Sequence, residues 1–303
     1  MRTLLPLVLF AVAACGSSST NTPPKPEPAA PKVPAPPPSL AGAAADAVIA
    51  RLWPDGCFMF RDAAGALHAS DRARCELARR PYSTFKIPNA LLAVEAGLLD
   101  GPEAAMTWDK QAIPDDRSLL EVWRKPHTLR SGMAVSAVPY FRTLARQLGE
   151  DRMRAGLAKL DYGNRDLSGG LDQFWLSGGI RISAARQLAF VEDLARGKLA
   201  VPARAQGVVR DVLALAKTDA AVLRGKTGSG PASDRAADAR GWLVWQVGWV
   251  EAGAASPAIV PYACWMESRD EAINAARAAR EQRLRVTLDA LGLFPAPDPA
   301  APR

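Results

Sequence analysis

The sequence predicts an α+β fold: one antiparallel sheet built from both chain ends, flanked by helices, with a helical region inserted between the two halves. Three observations predict it. A hairpin pattern comes early, three apolar runs of strand length come in the last third, and helical patterns fill the interval. With 303 residues the chain is long enough for a full-sized core.

The first residues read as an address. Arg2 precedes the apolar run from Leu4 to Val12, which is too short to span a bilayer. The run ends in Val12-Ala13-Ala14-Cys15 and is followed by Gly16-Ser17-Ser18-Ser19, which resembles the lipobox of bacterial lipoproteins. That resemblance implies cleavage after residue 14 and lipidation of Cys15. An ordinary secretory peptide with a coincidental cysteine is the alternative. Gly16 is not the acidic residue associated with inner-membrane retention, so an exported, periplasmic, outer-membrane lipoprotein is expected. Residues 15–42 hold Pro23, Pro24, Pro26, Pro28 and five further prolines up to Pro38. Such a segment favours polyproline II and serves as a linker. Residues 43–294 form the expected domain, and 295–303 a disordered tail. With Cys15 lipidated, Cys57, Cys75 and Cys264 remain, enough for one bridge and one free thiol, with the pair left open.

Within the domain, Ala43 to Leu52 reads as an alanine-rich helix. Gly56 to Arg61, a turn at Asp62-Ala63-Ala64-Gly65, and Ala66 to Ser70 read as a hairpin, with His68 on its surface. A helix follows from Pro81, starting at a serine able to cap it, with Pro88 near enough its start to be tolerated. Residues 108–130 are irregular. Tyr140 to Gln147 and Asp151 to Leu160 are short helices, and 162–179 is a long glycine-rich loop. Ser183 caps a helix that Gly197 ends. Ala221 to Gly228, Trp242 to Val250 and Ile259 to Trp265 are strands. Asp270 to Leu291 is a helix with an apolar stripe of Ile273, Ala276, Leu284, Leu288 and Leu291.

The net charge of +7 comes largely from arginines spread along helical segments, with no basic block carrying interleaved aromatics, so no nucleic-acid partner is expected. His68 and His127 are the only histidines, and no Cys-x-x-Cys occurs, so no metal is expected.

The chemistry centres on Pro81-Tyr82-Ser83-Thr84-Phe85-Lys86-Ile87-Pro88-Asn89. Residues three apart on a helix share a face, so Ser83 and Lys86 would be neighbours. A serine hydroxyl needs a base, and a lysine whose charge is suppressed by burial can be one. Taken alone, the pair is a capping serine beside a solvated lysine. Three further motifs change that reading: Ser136-Ala137-Val138, Tyr162-Gly163-Asn164 and Lys226-Thr227-Gly228.

In this order the four resemble the signature of the penicillin-recognising serine enzymes. Ser-x-Val and Tyr-Gly-Asn resemble the class D β-lactamases, as do Asp172-Gln173-Phe174-Trp175-Leu176 and Gly248-Trp249-Val250-Glu251. The resemblance runs from about Ala43 to Phe294. It implies hydrolysis of penicillin-type β-lactams through a Ser83 acyl-enzyme. It implies that Lys86 is an N6-carboxylysine, made from carbon dioxide or bicarbonate without any other cofactor, acting as general base. Phe85, Val138 and Trp175 would wall its pocket, and the Trp175 indole N–H would donate to the carbamate. Ser136 would relay a proton to the β-lactam nitrogen. Lys226, Thr227 and Gly228 would dock the substrate, with Gly228 letting it approach, and the Ser83 and Ser229 N–H groups would form the oxyanion hole. Arg280 would bind the substrate carboxylate, with Arg277 as runner-up. Tyr-Gly-Asn would support the pocket. Membrane contact would come only through the lipid anchor, and a homodimer is left open. Tyr82, at a position that is usually small, and a long 229–240 segment depart from the pattern. The alternatives are a β-lactam sensor acylated without turnover and a peptidoglycan D,D-peptidase.

Overall fold

The computed structural model describes residues 42–114, 119–233, 241–253, 257–269 and 272–294. The expected signal peptide, Cys15, nearly all of the proline-rich linker, the C-terminal tail and much of the 229–240 segment lie outside them.

In chain order the described elements are helix α1 (Ala43–Leu52), strands β1 (Gly56–Arg61) and β2 (Leu67–Ala69), the short helix α2 (Arg72–Cys75), and a 3-10 turn (Tyr82–Phe85) leading into α3 (Lys86–Glu95). Then come β3 (Ala105–Met106), β4 (His127–Thr128), α4 (Leu129–Ala134), α5 (Val138–Leu148), α6 (Glu150–Lys159), α7 (Ala184–Ala195) and α8 (Ala203–Val212). The chain finishes with β5 (Ala214–Lys217), β6 (Ala221–Pro231), β7 (Trp242–Ala252), β8 (Ala258–Ser268) and α9 (Ile273–Ala290).

The main sheet has the order β2-β1-β8-β7-β6-β5. Every pairing in it is antiparallel. The early hairpin joins the late strands through β1 against β8, with Phe58 opposite Cys264. Side chains alternate across a strand, which gives the sheet two apolar faces. On the inner face Cys57, Met59, Trp245, Val247, Trp249 and Trp265 pack against the helical region. On the outer face Phe58, Phe60, Val244, Tyr262 and Cys264 pack beneath α1 and α9. Helix α3 is buried from Lys86 to Val94, including the polar Lys86 and Asn89.

Several expectations meet corrections here. His68 is not a surface residue. It is only 3% exposed, stacked on Phe60 at 4.7 Å, with its ring nitrogens 3.2 Å from Asp46 and 3.3 Å from Asp62. Helix α1 covers that strand, which a local pattern does not reveal. Ser83 does not cap a helix: it lies inside the 3-10 turn, and α3 begins at Lys86 without a side-chain cap. Helix α8 and the edge strand β5 are additions to the expected elements. The disulfide joins Cys57 to Cys75, with Cα atoms 5.2 Å apart, and Cys264 is a buried free thiol. Asp71 accepts from the Arg74 N–H to start α2, which places Cys75 in the inner core beside Cys57. Among the described residues no helix is long and apolar enough to cross a membrane.

Candidate active site

Ser83 sits on a turn that is held from below and from behind. Below it, the Thr84 hydroxyl donates to the Pro81 carbonyl at 2.8 Å. The Gln187 amide donates to that hydroxyl at 2.8 Å, and the Tyr162 hydroxyl donates to Gln187 at 3.4 Å. This chain of buried groups ties the turn to α7 and to the Tyr-Gly-Asn motif. Asn164 completes the motif by accepting from the Arg181 N–H at 2.9 Å and donating to Gly179 at 3.1 Å, so its work is structural. Behind the turn runs β6. A Cβ on Gly228 would lie 2.6 Å from the Pro81 carbonyl oxygen and 3.1 Å from the Thr84 nitrogen. A Cβ on Gly230 would lie 2.1 Å from the Tyr82 ring. Glycine at 228 is therefore required by the serine turn itself, whereas the sequence reading gave its room to a ligand. Tyr82, at φ 49°, also donates from its hydroxyl to Pro231 at 2.5 Å.

Lys86 is wholly buried, and its Nζ donates to the Ser83 Oγ at 2.6 Å. Burial pushes the ammonium well below its usual range, and the nearby charge of Lys226 pushes it the same way. The ring of Phe141 lies 5.4 Å from Nζ. Phe85 stacks on Trp175 at 5.0 Å, and Phe174 meets Phe85 edge-on at 4.8 Å. Arg142 donates to Asp172 at 2.9 Å, anchoring the loop that carries Trp175. The indole nitrogen of Trp175 is buried with no hydrogen-bond partner. A buried donor without an acceptor is rare and asks for a reason. A buried amine whose pKa is lowered, together with an orphaned N–H, fits a carbamate on Lys86: a neutral amine can react with carbon dioxide, and the resulting anion needs a donor.

Ser136 has φ 56° and a buried hydroxyl that is likewise without a partner. Left-handed backbone at a non-glycine residue is a strained state associated with functional sites.

Strand β6 presents Lys226, Thr227, Gly228 and Ser229. It pairs with β7 along its whole length, whereas β5 pairs with it only at Val222–Arg224. Beyond that point the Gly225 N–H still donates to the Leu213 carbonyl at 2.8 Å, and no further strand pairs with that edge among the described residues. Lys226 is buried, donates to the Thr227 carbonyl at 3.1 Å and has a pKa lowered to about 7, chiefly by burial and then by Arg280 and Arg277. Thr227 lies opposite Gln246. Arg277 donates to the Ser229 hydroxyl at 2.9 Å. Arg280 is deeper, donating to Gln246 at 2.5 Å and to the Trp245 carbonyl at 3.4 Å. Arg277 thus reaches β6 at Ser229, whereas Arg280 bonds to β7 behind it, at Gln246 and Trp245. Lys226, Arg277 and Arg280 form a cationic group with no carboxylate at ion-pair distance among the described residues, an arrangement suited to receive an anion. Sequence reasoning missed Phe141, Thr84, Gln187 and Gln246. Each acts through a contact distant in the chain, and none stands in a motif that marks it.

Residues 61–281 match the penicillin-binding protein transpeptidase domain. The β-lactamase OXA-48 of Klebsiella pneumoniae is 40% identical over 59% of this chain and 63% of its own length. OXA-10 of Pseudomonas aeruginosa is 37% identical over 60% of this chain and 65% of its own length. The alignments thus span somewhat under two thirds of these curated relatives. Among solved structures, the class D β-lactamase YbXI from Nostoc superposes with a TM-score of 0.72 at 28% identity, covering 81% of this chain and 99% of that one. The class D enzyme FUS-1 from Fusobacterium nucleatum gives 0.70 at 29% identity, covering 79% and 93%.

Proposed function

The chain belongs to the penicillin-binding protein transpeptidase family, with class D β-lactamases among its relatives, and from that premise we propose that it hydrolyses the β-lactam ring of penicillin-type antibiotics and so confers resistance. The observation that carries this reading is the 2.6 Å contact between a wholly buried lysine and Ser83.

In this reading the Ser83 oxygen adds to the lactam carbonyl carbon and its proton leaves toward Lys86. A carbamate on Lys86, formed with carbon dioxide, supplies an anionic general base. The N–H groups of Ser83 and Ser229 hold the oxyanion. The carbonyl–nitrogen bond breaks, and the nitrogen takes a proton through Ser136. Water then adds to the Ser83 ester, losing its proton toward Lys86, and Ser83 departs with its proton restored. Lys226, Thr227 and Arg280 hold the substrate carboxylate. The Trp175 indole N–H would donate to the carbamate oxygens on Lys86.

Steady-state hydrolysis of nitrocefin or oxacillin, with bicarbonate added, tests this reading. A stoichiometric burst with no turnover would replace it with a sensor. The family description favours a second reading, a peptidoglycan D,D-peptidase, and release of terminal D-alanine without lactam turnover would establish that instead. The apolar leader and Cys15 support export and a lipid anchor, with the linker standing between membrane and domain. Labelling with palmitate that is lost in Cys15→Ala tests the anchor.

A further inference from the structure

A cavity of about 480 Å³ lies between α9 and the β5–β6 end of the sheet. Its size falls within the range of about 300–1,000 Å³ found for small-molecule sites. It belongs to the outer face of the sheet, so it is not the pocket that holds Lys86. Its lining is graded. Thr227 and Arg280 line one part, and Leu215, Leu223, Leu284 and Leu288 line the other. Leu223 precedes Thr227 by four residues, about 13 Å along a strand. Leu288 follows Arg280 by eight residues, about 12 Å along a helix. Strand and helix therefore carry the lining from polar to apolar in parallel. At the apolar end Leu215 is 47% exposed, so the groove opens to solvent past a large aliphatic side chain.

The polar end lacks an anion. Arg280 is 5% exposed, and its Nε has no hydrogen-bond acceptor. Its other contacts are to neutral groups, Gln246 and the carbonyls of Trp245 and Arg277. A buried cation whose hydrogen bonds all go to neutral acceptors carries a desolvation cost that a bound anion would offset. Glu281, Arg285 and Asp289 also line the groove. They are exposed and of mixed sign, so water screens them, and of Arg280's charged neighbours Glu281 attracts it from solvent rather than from a buried ion pair.

We propose that this groove is a second ligand site, taking a medium-chain aliphatic carboxylate with its head at Arg280 and Thr227 and its chain along Leu223, Leu284 and Leu288. The occupant has to be apolar along its length because the lining is, and anionic at one end because Arg280 has no carboxylate at ion-pair distance among the described residues. Its head would take the arginine assigned above to the antibiotic carboxylate. Such a ligand therefore competes with substrate, and this limb alone rests on the proposed lactamase function.

The test is calorimetric titration of the full chain with octanoate and with 1-octanol, alongside lactam kinetics. Octanoate is expected to bind at least tenfold more tightly than octanol, to lose that advantage in Arg280→Gln, and to weaken at least tenfold in Leu215→Glu at the exposed mouth. It is expected to raise KM for the lactam without changing kcat. No octanoate binding, equal binding of octanol, or affinity untouched by Leu215→Glu overturns the site, whether or not Arg280→Gln folds. Binding that leaves KM unchanged overturns the placement of the head at Arg280. Failure of lactam turnover overturns the proposed function but leaves the calorimetric comparison intact.

Discussion

Lys86 donates to Ser83 across 2.6 Å, and no carboxylate among the described residues pairs with this wholly buried amine. Its proton is held only weakly, because burial and the charge of Lys226 both favour the neutral form. Only a neutral amine takes up carbon dioxide. As pH falls through the lowered pKa, Lys86 gains a proton, and the proposed carbamate would be lost. Turnover is therefore expected to fall on the acid side and to be restored there in part by bicarbonate. Lys86→Ala should lose about 10²–10⁴-fold in kcat, the usual contribution of a positioned base. Paired pH profiles of kcat with and without bicarbonate check this; profiles that superimpose would remove the carbamate from the mechanism.

Trp175 separates packing from hydrogen bonding. Its ring stacks on Phe85, while its N–H has no partner. Trp175→Phe keeps most of the ring contact and deletes the donor. It is expected to slow deacylation at least tenfold, with partial rescue by bicarbonate, and to change Tm little. Trp175→Ala should add a loss of about 3–5 kcal/mol in stability from the vacated core. Equal kinetics for Trp175→Phe and the parent would leave the indole N–H without a role.

The fit of β6 against the serine turn predicts a coupling. Gly230→Ala sets a methyl group where the Tyr82 ring lies, and Gly228→Ala sets one against the Pro81 carbonyl. Overpacking of this kind costs about 1–3 kcal/mol. Each variant is expected to lose both stability and acylation rate, because the displaced turn carries Ser83. Tyr82→Ala should relieve Gly230→Ala and leave Gly228→Ala unrelieved. A double-mutant cycle on acylation rates measures this, and additive effects for the 82–230 pair would contradict it.

The three described cysteines behave differently. Cys57 and Cys75 close a loop of 18 residues, worth about 3 kcal/mol on the chain-entropy account. Cys264 is buried, donates to the Gln246 carbonyl at 3.3 Å and has a thiol pKa raised to about 12 by burial. With Cys15 removed or blocked, a thiol reagent at neutral pH should find no reactive group in the folded protein and one after denaturation without reductant. One equivalent in the folded state would mean that Cys264 is reached.

Much of this was legible because the chemistry is local. The Ser83–Lys86 spacing, the strand register of Lys226 to Ser229 and the cap at Ser183 are all short-range patterns, and the alternating apolar runs give the sheet its two faces. What escaped is set by partners far along the chain. Strand β5 reads Ala-Leu-Ala-Lys, exposed throughout, and is a strand only because β6 pairs with it. Helix α8 has Gly207 in its middle, which interrupts its pattern. His68 is buried by a helix some twenty residues earlier, and the need for glycine at 228 arises from Pro81 and Thr84. The resemblance ranks Arg280 ahead of Arg277 on α9, but their division between Ser229 and Gln246 depends on the face each turns to the sheet.

Lys226 carries the last prediction, in which function opposes stability. Its pKa is about 7 in the folded chain against 10.5 for an ordinary lysine, because it is buried beside Arg280 and Arg277. Between those two values the unfolded chain binds a proton that the folded chain does not, so this group makes stability rise with pH from about 7 to 10.5. Below about 7 both states are protonated and the full cost of burial is present. Lys226→Met keeps the volume and removes the charge. It is expected to stabilise the protein at neutral pH by an amount on the order of a few kcal/mol, with the gain shrinking as pH rises toward 10.5. In the proposed mechanism the same change deletes a donor to the substrate carboxylate, so KM should rise at least tenfold. Urea unfolding of parent and variant across this range decides the matter. Curves that stay parallel would show that Lys226 is no more costly in the folded chain than in the unfolded one, and the cationic group on β6 would then be solvated rather than kept waiting for an anion.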